Sequence, residues 1–144
     1  MILPGLVTLA FNAVYLGGTF GVMFRPDVGI AGENFRNFTT AHGPFELTAI
    51  VLSSGAGLRI GISWLVTGGL SRTSSVRKNA KEAVPIAGCA ICLFVLAAFI
   101  EGFISPSTWL SWEIKGFIAL LCSFLLTVYF VVLGYPRGGQ PDEI

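Results

Sequence analysis

Residues 42–61, HGPFELTAIVLSSGAGLRIG, are long and apolar enough to cross a bilayer, yet they contain a histidine, a glutamate and an arginine. A charged side chain at the centre of a membrane costs about 2.5–3.5 kcal/mol on insertion scales, so such groups turn toward a protein interior or a wet cavity. The rest of the stretch is rich in small residues: Ser53, Ser54, Gly55, Ala56, Gly57 and Gly61. Gly57 and Gly61 form a GxxxG step, a spacing that lets a second helix backbone come close. A helix of this kind is expected in a tight bundle with its polar groups turned inward.

The surrounding chain agrees. Of its 144 residues, 53% are hydrophobic and only 12% are charged, against about a quarter charged in a soluble domain. The fold class that follows is an all-α membrane protein, a bundle of about four transmembrane helices. A net charge of +1, without a basic stripe and interleaved aromatics, gives no nucleic-acid surface. Cys89 and Cys92 have CxxC spacing, but an apolar run offers no thioredoxin-like context. They and Cys122 read as packing residues. The opening MILPGLVTLAF has neither a basic n-region nor a small-residue cleavage site, so it does not read as a cleaved signal peptide. A span that begins almost at Met1 reads as the start of a fragment.

Span one is expected from about Ile2 to Phe24, with Asn12 inside it and a GxxxG step at Gly17 and Gly21. Asn12 has two readings, a bond across helices or a cap on a local backbone defect. Pro26 stops the span. Phe35 and Phe38 in the following segment allow a short interfacial helix or an irregular loop. Span two runs from about Gly43 to Thr67, with Pro44 in its first turn. Gly68 to Glu82 is expected as a basic loop carrying Arg72, Arg77, Lys78 and Lys81. Span three follows from about Ala83 to Ile104, and span four from about Ile114 to Tyr135. Trp109 and Trp112 between them suit a headgroup belt. Residues 1–136 read as one transmembrane domain and residues 137–144 as a polar tail. The basic loop and Arg137 outnumber Arg25, Arg36 and Lys115 on the other side. The positive-inside rule therefore puts both termini in the cytoplasm.

In that topology the start of span two and the end of span three share one side of the membrane. His42 and Glu46, four residues apart, lie on one helix face, and Glu101 falls at a similar depth. These three are the candidate polar site. Three readings are open: a hydrogen-bonded network that fixes helix register, a divalent metal site of His and two carboxylates suited to zinc, or proton and ion handling as in transporters. Arg59 lies about 20 Å further along an ideal helix and is expected to snorkel toward the cytoplasmic face or bond backbone carbonyls there. There is no Walker loop, GxSxG elbow or Rossmann fingerprint, so nothing marks an enzyme of those kinds.

The same segments carry a family resemblance. His42, Gly43, Glu46 and Leu47, then Gly55 to Arg59 with Gly61, and then Ala97, Ala98, Ile100, Glu101, Ser105 and Pro106 resemble the stage II sporulation protein M family. Its pattern is HG-x-x-E-L, a GAGLRLG-like middle and a later A-A-x-I-E-x-x-x-S/T-P. FNAVYLGGTFG upstream resembles the family's preceding span, and the likeness extends over roughly residues 5 to 135. The resemblance implies a polytopic bacterial or archaeal plasma-membrane protein. In spore-formers it implies a scaffold for cell-wall-degrading partners during engulfment, and many members carry a further N-terminal segment with one or more spans. The leading functional expectation is an envelope scaffold or assembly factor that works with the bilayer, other membrane or envelope proteins, cell-wall hydrolases among them, or a second copy of itself. The alternatives are a transport or ion-coupled component and a metal-dependent intramembrane enzyme, each using His42, Glu46 and Glu101. Inverted repeats and visibly broken helices, the marks of many transporters, are not evident.

Overall fold

A computed structural model describes residues 2–107 and 109–134. Five α-helices follow one another: α1 (Ile2–Met23), α2 (Ile30–Thr39), α3 (Gly43–Leu65), α4 (Arg72–Phe103) and α5 (Trp112–Thr127). A 3₁₀ turn, Pro26–Val28, precedes α2, and a π-helical turn, Val128–Leu133, continues α5. No strand occurs among the described residues. The stretches Gly43–Leu65, Arg72–Phe103 and Trp112–Val132 are long and apolar enough to cross a membrane, and Leu9–Met23 is a shorter apolar helix. The chain is therefore an all-α membrane bundle, as its composition requires. The tail expected at residues 137–144 lies outside the described residues.

Local chemistry sets the element ends. Arg25, ahead of Pro26, takes an extended conformation (φ −73°, ψ 141°), because the proline ring disfavours helical geometry in the residue before it. Gly29 turns the chain into α2 with φ 58°, a region open to glycine without steric cost. The segment after span one is thus helical, and Phe35 meets Phe20 of α1 edge to face at 5.2 Å between ring centres. Gly32 of α2 is buried against the Met23 carbonyl, so close that a Cβ there would collide with it.

The basic stretch after α3 departs from expectation. Only a short turn joins the helices, with Gly68 and Gly69 at positive φ. Ser71 then caps α4, its Oγ accepting the Ser74 N–H at 3.3 Å. Arg72 to Glu82 form the first three turns of α4, not a loop, and the helix runs on through Pro85. Hydropathy locates where a helix becomes apolar; the cap marks where it starts.

α3 packs against α1, α4 and α5, most extensively against α4. The α3–α4 pair is an antiparallel hairpin with a seam of small side chains. Ala49, Ala56 and Ser63 are buried on α3; Ala83, Ala90 and Ala97 are buried on α4. Each set recurs every seven residues, so it stays on one stripe of its helix. Ala49 meets Ala90 and Leu93, and Phe45, Leu52, Leu126 and Phe130 close over this core. Span four therefore contributes to the core through Leu126 and Phe130.

The glycine steps do something else. An added Cβ at Gly17, Gly21 or Gly57 would meet no atom within 4 Å. The expected close contacts at Gly17–Gly21 and at Gly57 are not made among the described residues; Gly61, by contrast, is buried. The reason is rotational: the face of α3 that carries Ala49, Ala56 and Ser63 is the one turned to α4, and Gly57 falls outside it. Large apolar side chains such as Val51, Phe99, Phe117 and Phe124 are exposed. Outward apolar surface is what a bilayer accommodates, since lipid tails solvate it as well as a core does.

Candidate functional site

Polar groups cluster at the end of the bundle where α3 begins and α4 ends. His42 occupies the N-cap position of α3 and is only 4% exposed. Its Nδ1 lies 2.9 Å from the Ser105 Oγ, a buried hydrogen bond joining the start of α3 to the residues just past α4. The Ser105 carbonyl in turn accepts a 2.7 Å hydrogen bond from Lys115 Nζ of α5, and Lys115 is also 4% exposed. Ser105 thus ties three helices through one residue, by its hydroxyl to α3 and by its carbonyl to α5. The Phe38 ring of α2 stands edge-on to the His42 imidazole at 5.4 Å. Each buried polar side chain here has at least one partner, which offsets part of the cost of placing it in an apolar setting.

The structure brings together two of the three expected site residues. Glu46 Oε2 lies 3.8 Å from His42 Nε2, an ion-pair distance if the imidazole is protonated, and its side chain is 42% exposed. Glu101 does not join them. It is exposed on the last turns of α4, and among the described residues it enters no hydrogen bond or ion pair. Nor do any three His, Cys, Asp or Glu side chains among the described residues come close enough to hold a metal ion. Of the three candidate residues, His42 and Glu46 therefore meet without Glu101, and the contacts that form are a His42–Ser105–Lys115 network with Glu46 at its edge. Glu101 does lie at the same end of the α3–α4 hairpin as His42, but rotation about α4 turned its side chain outward.

Ser105, His42 and Glu46 have the residue types of a nucleophile, base and orienting acid. The 3.8 Å gap between His42 and Glu46 exceeds the roughly 2.6–3.2 Å at which an acid orients a base. The arrangement suits holding helices more than activating a hydroxyl. At the opposite end of the hairpin, Ser75 Oγ donates to the Ser63 carbonyl at 2.7 Å. Nearby, Arg59 pairs with Glu82 of α4. Arg59 thus sits apart from His42, as helix geometry demands, but its partner is a carboxylate instead of backbone carbonyls. Asn12 is exposed on α1 and enters none of the interhelical hydrogen bonds among the described residues. Cys89, Cys92 and Cys122 are free thiols.

Sequence reasoning missed Ser105 as the partner of His42 and Lys115 as the partner of the Ser105 carbonyl. Lys115 did leave a signal: it is a lone cation at the apolar opening of span four, EIKGFIALL, where a charge needs either water or a buried acceptor.

Beside this network lies a cavity of about 500 Å³. Its walls come from α2 (Glu33, Asn34, Asn37), from the α4–α5 connection (Ser105, Ser107) and from α5 (Trp112, Glu113, Lys115).

Apolar helices around α3, with polar groups satisfied inside the bundle and apolar side chains turned outward, define a polytopic α-helical membrane protein. The chain belongs to the stage II sporulation protein M family, whose family model matches residues 1–106. No curated protein and no solved structure matches it. The match takes in His42, Glu46, Arg59, Glu101 and Ser105; Lys115 lies beyond it.

Proposed function

We propose that this protein is a multi-pass scaffold of the plasma membrane, one that assembles or localises envelope proteins, with cell-wall hydrolases as the partner class implied by its family. The reading draws chiefly on the open glycine faces. Gly17 and Gly21 on α1 and Gly57 on α3 have free space where a side chain would stand. In lipid, association between helices rests on close van der Waals packing, and a small-xxx-small face permits it. Among the described residues these faces are unused, which leaves them open to a neighbour. The buried polar network is consistent with a structural part, because its members hydrogen-bond one another across the ends of three helices. In this reading both termini are cytoplasmic, and the basic first turns of α4 lie at the cytoplasmic surface.

The test is a double variant, Gly17→Leu with Gly21→Leu. Both sites are open, so detergent thermal stability should hold to within about 0.5 kcal/mol. Crosslinking through a photoreactive residue at Val14, exposed on the same helix, should capture a membrane or envelope protein in the parent. The double variant should lose that product. Capture of lipid alone in the parent, or an unchanged protein product in the variant, refutes the scaffold reading.

A further inference from the structure

The cavity beside Ser105 has a charge pattern that neither the helix-tying network nor the scaffold reading uses. On one wall stands Lys115, 4% exposed. Among the described residues its Nζ has one acceptor, the Ser105 carbonyl. An ammonium carries three N–H donors, and a buried charge with donors unmet is costly. Two N–H groups thus remain for an acceptor in the cavity. On other walls stand Glu33 and Glu113, both exposed, with Asn37 and Trp112. A second cavity of about 350 Å³ is lined by the same Glu33, Asn37, Trp112 and Glu113, together with Arg36. Arg36 lines only this second cavity and not the one beside Ser105; it donates to the Met23 carbonyl at 3.4 Å and its guanidinium lies 5.7 Å from the centre of the Phe24 ring.

A purely anionic ligand would meet two carboxylates here, and a purely cationic one would meet a buried ammonium. The pattern fits a molecule that carries both charges a few bonds apart. The setting narrows the class further. The cavity lies where three membrane-length helices begin or end, beside Trp109, which is 95% exposed, and Trp112. Exposed tryptophans at helix ends mark the depth of lipid headgroups. Phe38 and Leu110 add an apolar flank to the cavity.

We infer that this cavity binds the headgroup of an aminophospholipid, with the phosphate diester accepting hydrogen bonds from Lys115 and the primary ammonium donating to Glu33 and Glu113. A primary amine has N–H donors for the two carboxylates; a trimethylated amine has none. A glycerol headgroup supplies no positive charge. The inference stands independently of the scaffold reading, because it concerns the helix ends and not the open glycine faces.

Native mass spectrometry of delipidated protein in detergent tests it. Phosphatidylethanolamine, phosphatidylcholine and phosphatidylglycerol of matched acyl chains are added in turn, with soluble phosphoethanolamine in a separate arm. Phosphatidylethanolamine should bind at least about tenfold more tightly than either other lipid, as expected for losing a charge-assisted hydrogen bond. Glu33→Gln with Glu113→Gln should abolish that preference, and both positions are exposed, so the fold is kept. Lys115→Gln should weaken phosphatidylethanolamine and phosphatidylglycerol alike. Equal binding of the three lipids, a preference for phosphatidylglycerol, or an unchanged preference in the double carboxamide variant overturns the assignment. Binding of soluble phosphoethanolamine as tight as that of the lipid overturns the membrane source.

Discussion

Replacing Ala49 by leucine tests the small-residue seam most directly. Ala49 is 0% exposed and packs against Ala90 and Leu93. Leucine adds three carbon atoms at a point where the facing helix already presents Leu93. In a water-soluble protein part of the strain would be offset by burying new apolar area, at about 0.8 kcal/mol per methylene. In lipid that offset is absent, because the side chain leaves one apolar medium for another. The steric cost of overpacking then stands alone at about 1–3 kcal/mol, roughly a 5- to 150-fold fall in the folded fraction relative to the unfolded. Gly57→Leu makes the matched control: it lies on the same helix, adds more atoms and meets open space. Thermal unfolding in detergent, followed by tryptophan fluorescence, should show Ala49→Leu unfolding first and Gly57→Leu close to the parent. Equal destabilisation by the two, or greater loss in Gly57→Leu, refutes the assignment of the seam.

Three further outcomes follow from named contacts. Gly32→Ala should destabilise the α1–α2 junction by about 1–3 kcal/mol, because its Cβ would strike the Met23 backbone carbonyl; limited proteolysis at residues 25–30 should accelerate, and an unchanged cleavage rate would contradict that contact. Arg59→Gln should cost no more than about 1 kcal/mol, since the Arg59 and Glu82 side chains are 42% and 56% exposed and exposed pairs contribute little; a larger loss in the same unfolding assay would mean the pair is shielded from solvent. For topology, a cysteine at exposed Thr73, in a background without Cys89, Cys92 and Cys122, should resist an impermeant reagent applied from outside, while one at Ser107 should react. Ser75 is unsuitable as a reporter because it is buried. Labelling at Thr73 and not at Ser107 would reverse the proposed orientation.

The class of this protein was legible in the sequence. Long apolar runs with few charges can bury their backbone polar groups in a membrane only as helices or closed barrels, and the lengths here are those of helices. Apolar runs and prolines placed α1, α3 and the start of α5 to within a few residues, and Pro26 and Pro44 marked a stop and a start. Chain topology also brought His42 and Glu101 to one end of the bundle without any coordinates. Rotation about each helix axis was not legible. In a soluble protein the apolar stripe reveals which face turns inward; in a membrane helix lipid and neighbour are both apolar, so hydropathy is nearly the same all round. That is why Glu101 faces outward and why the buried seam is Ala49, Ala56 and Ser63 with Gly57 left open; Ser105 reaches His42 because it lies past the end of α4, where the helical spacing that would put it on the Glu101 face no longer holds. Only tertiary packing, in which the smallest side chains of α3 and α4 allow the closest approach, selected those faces, and it placed Lys115 against the Ser105 carbonyl.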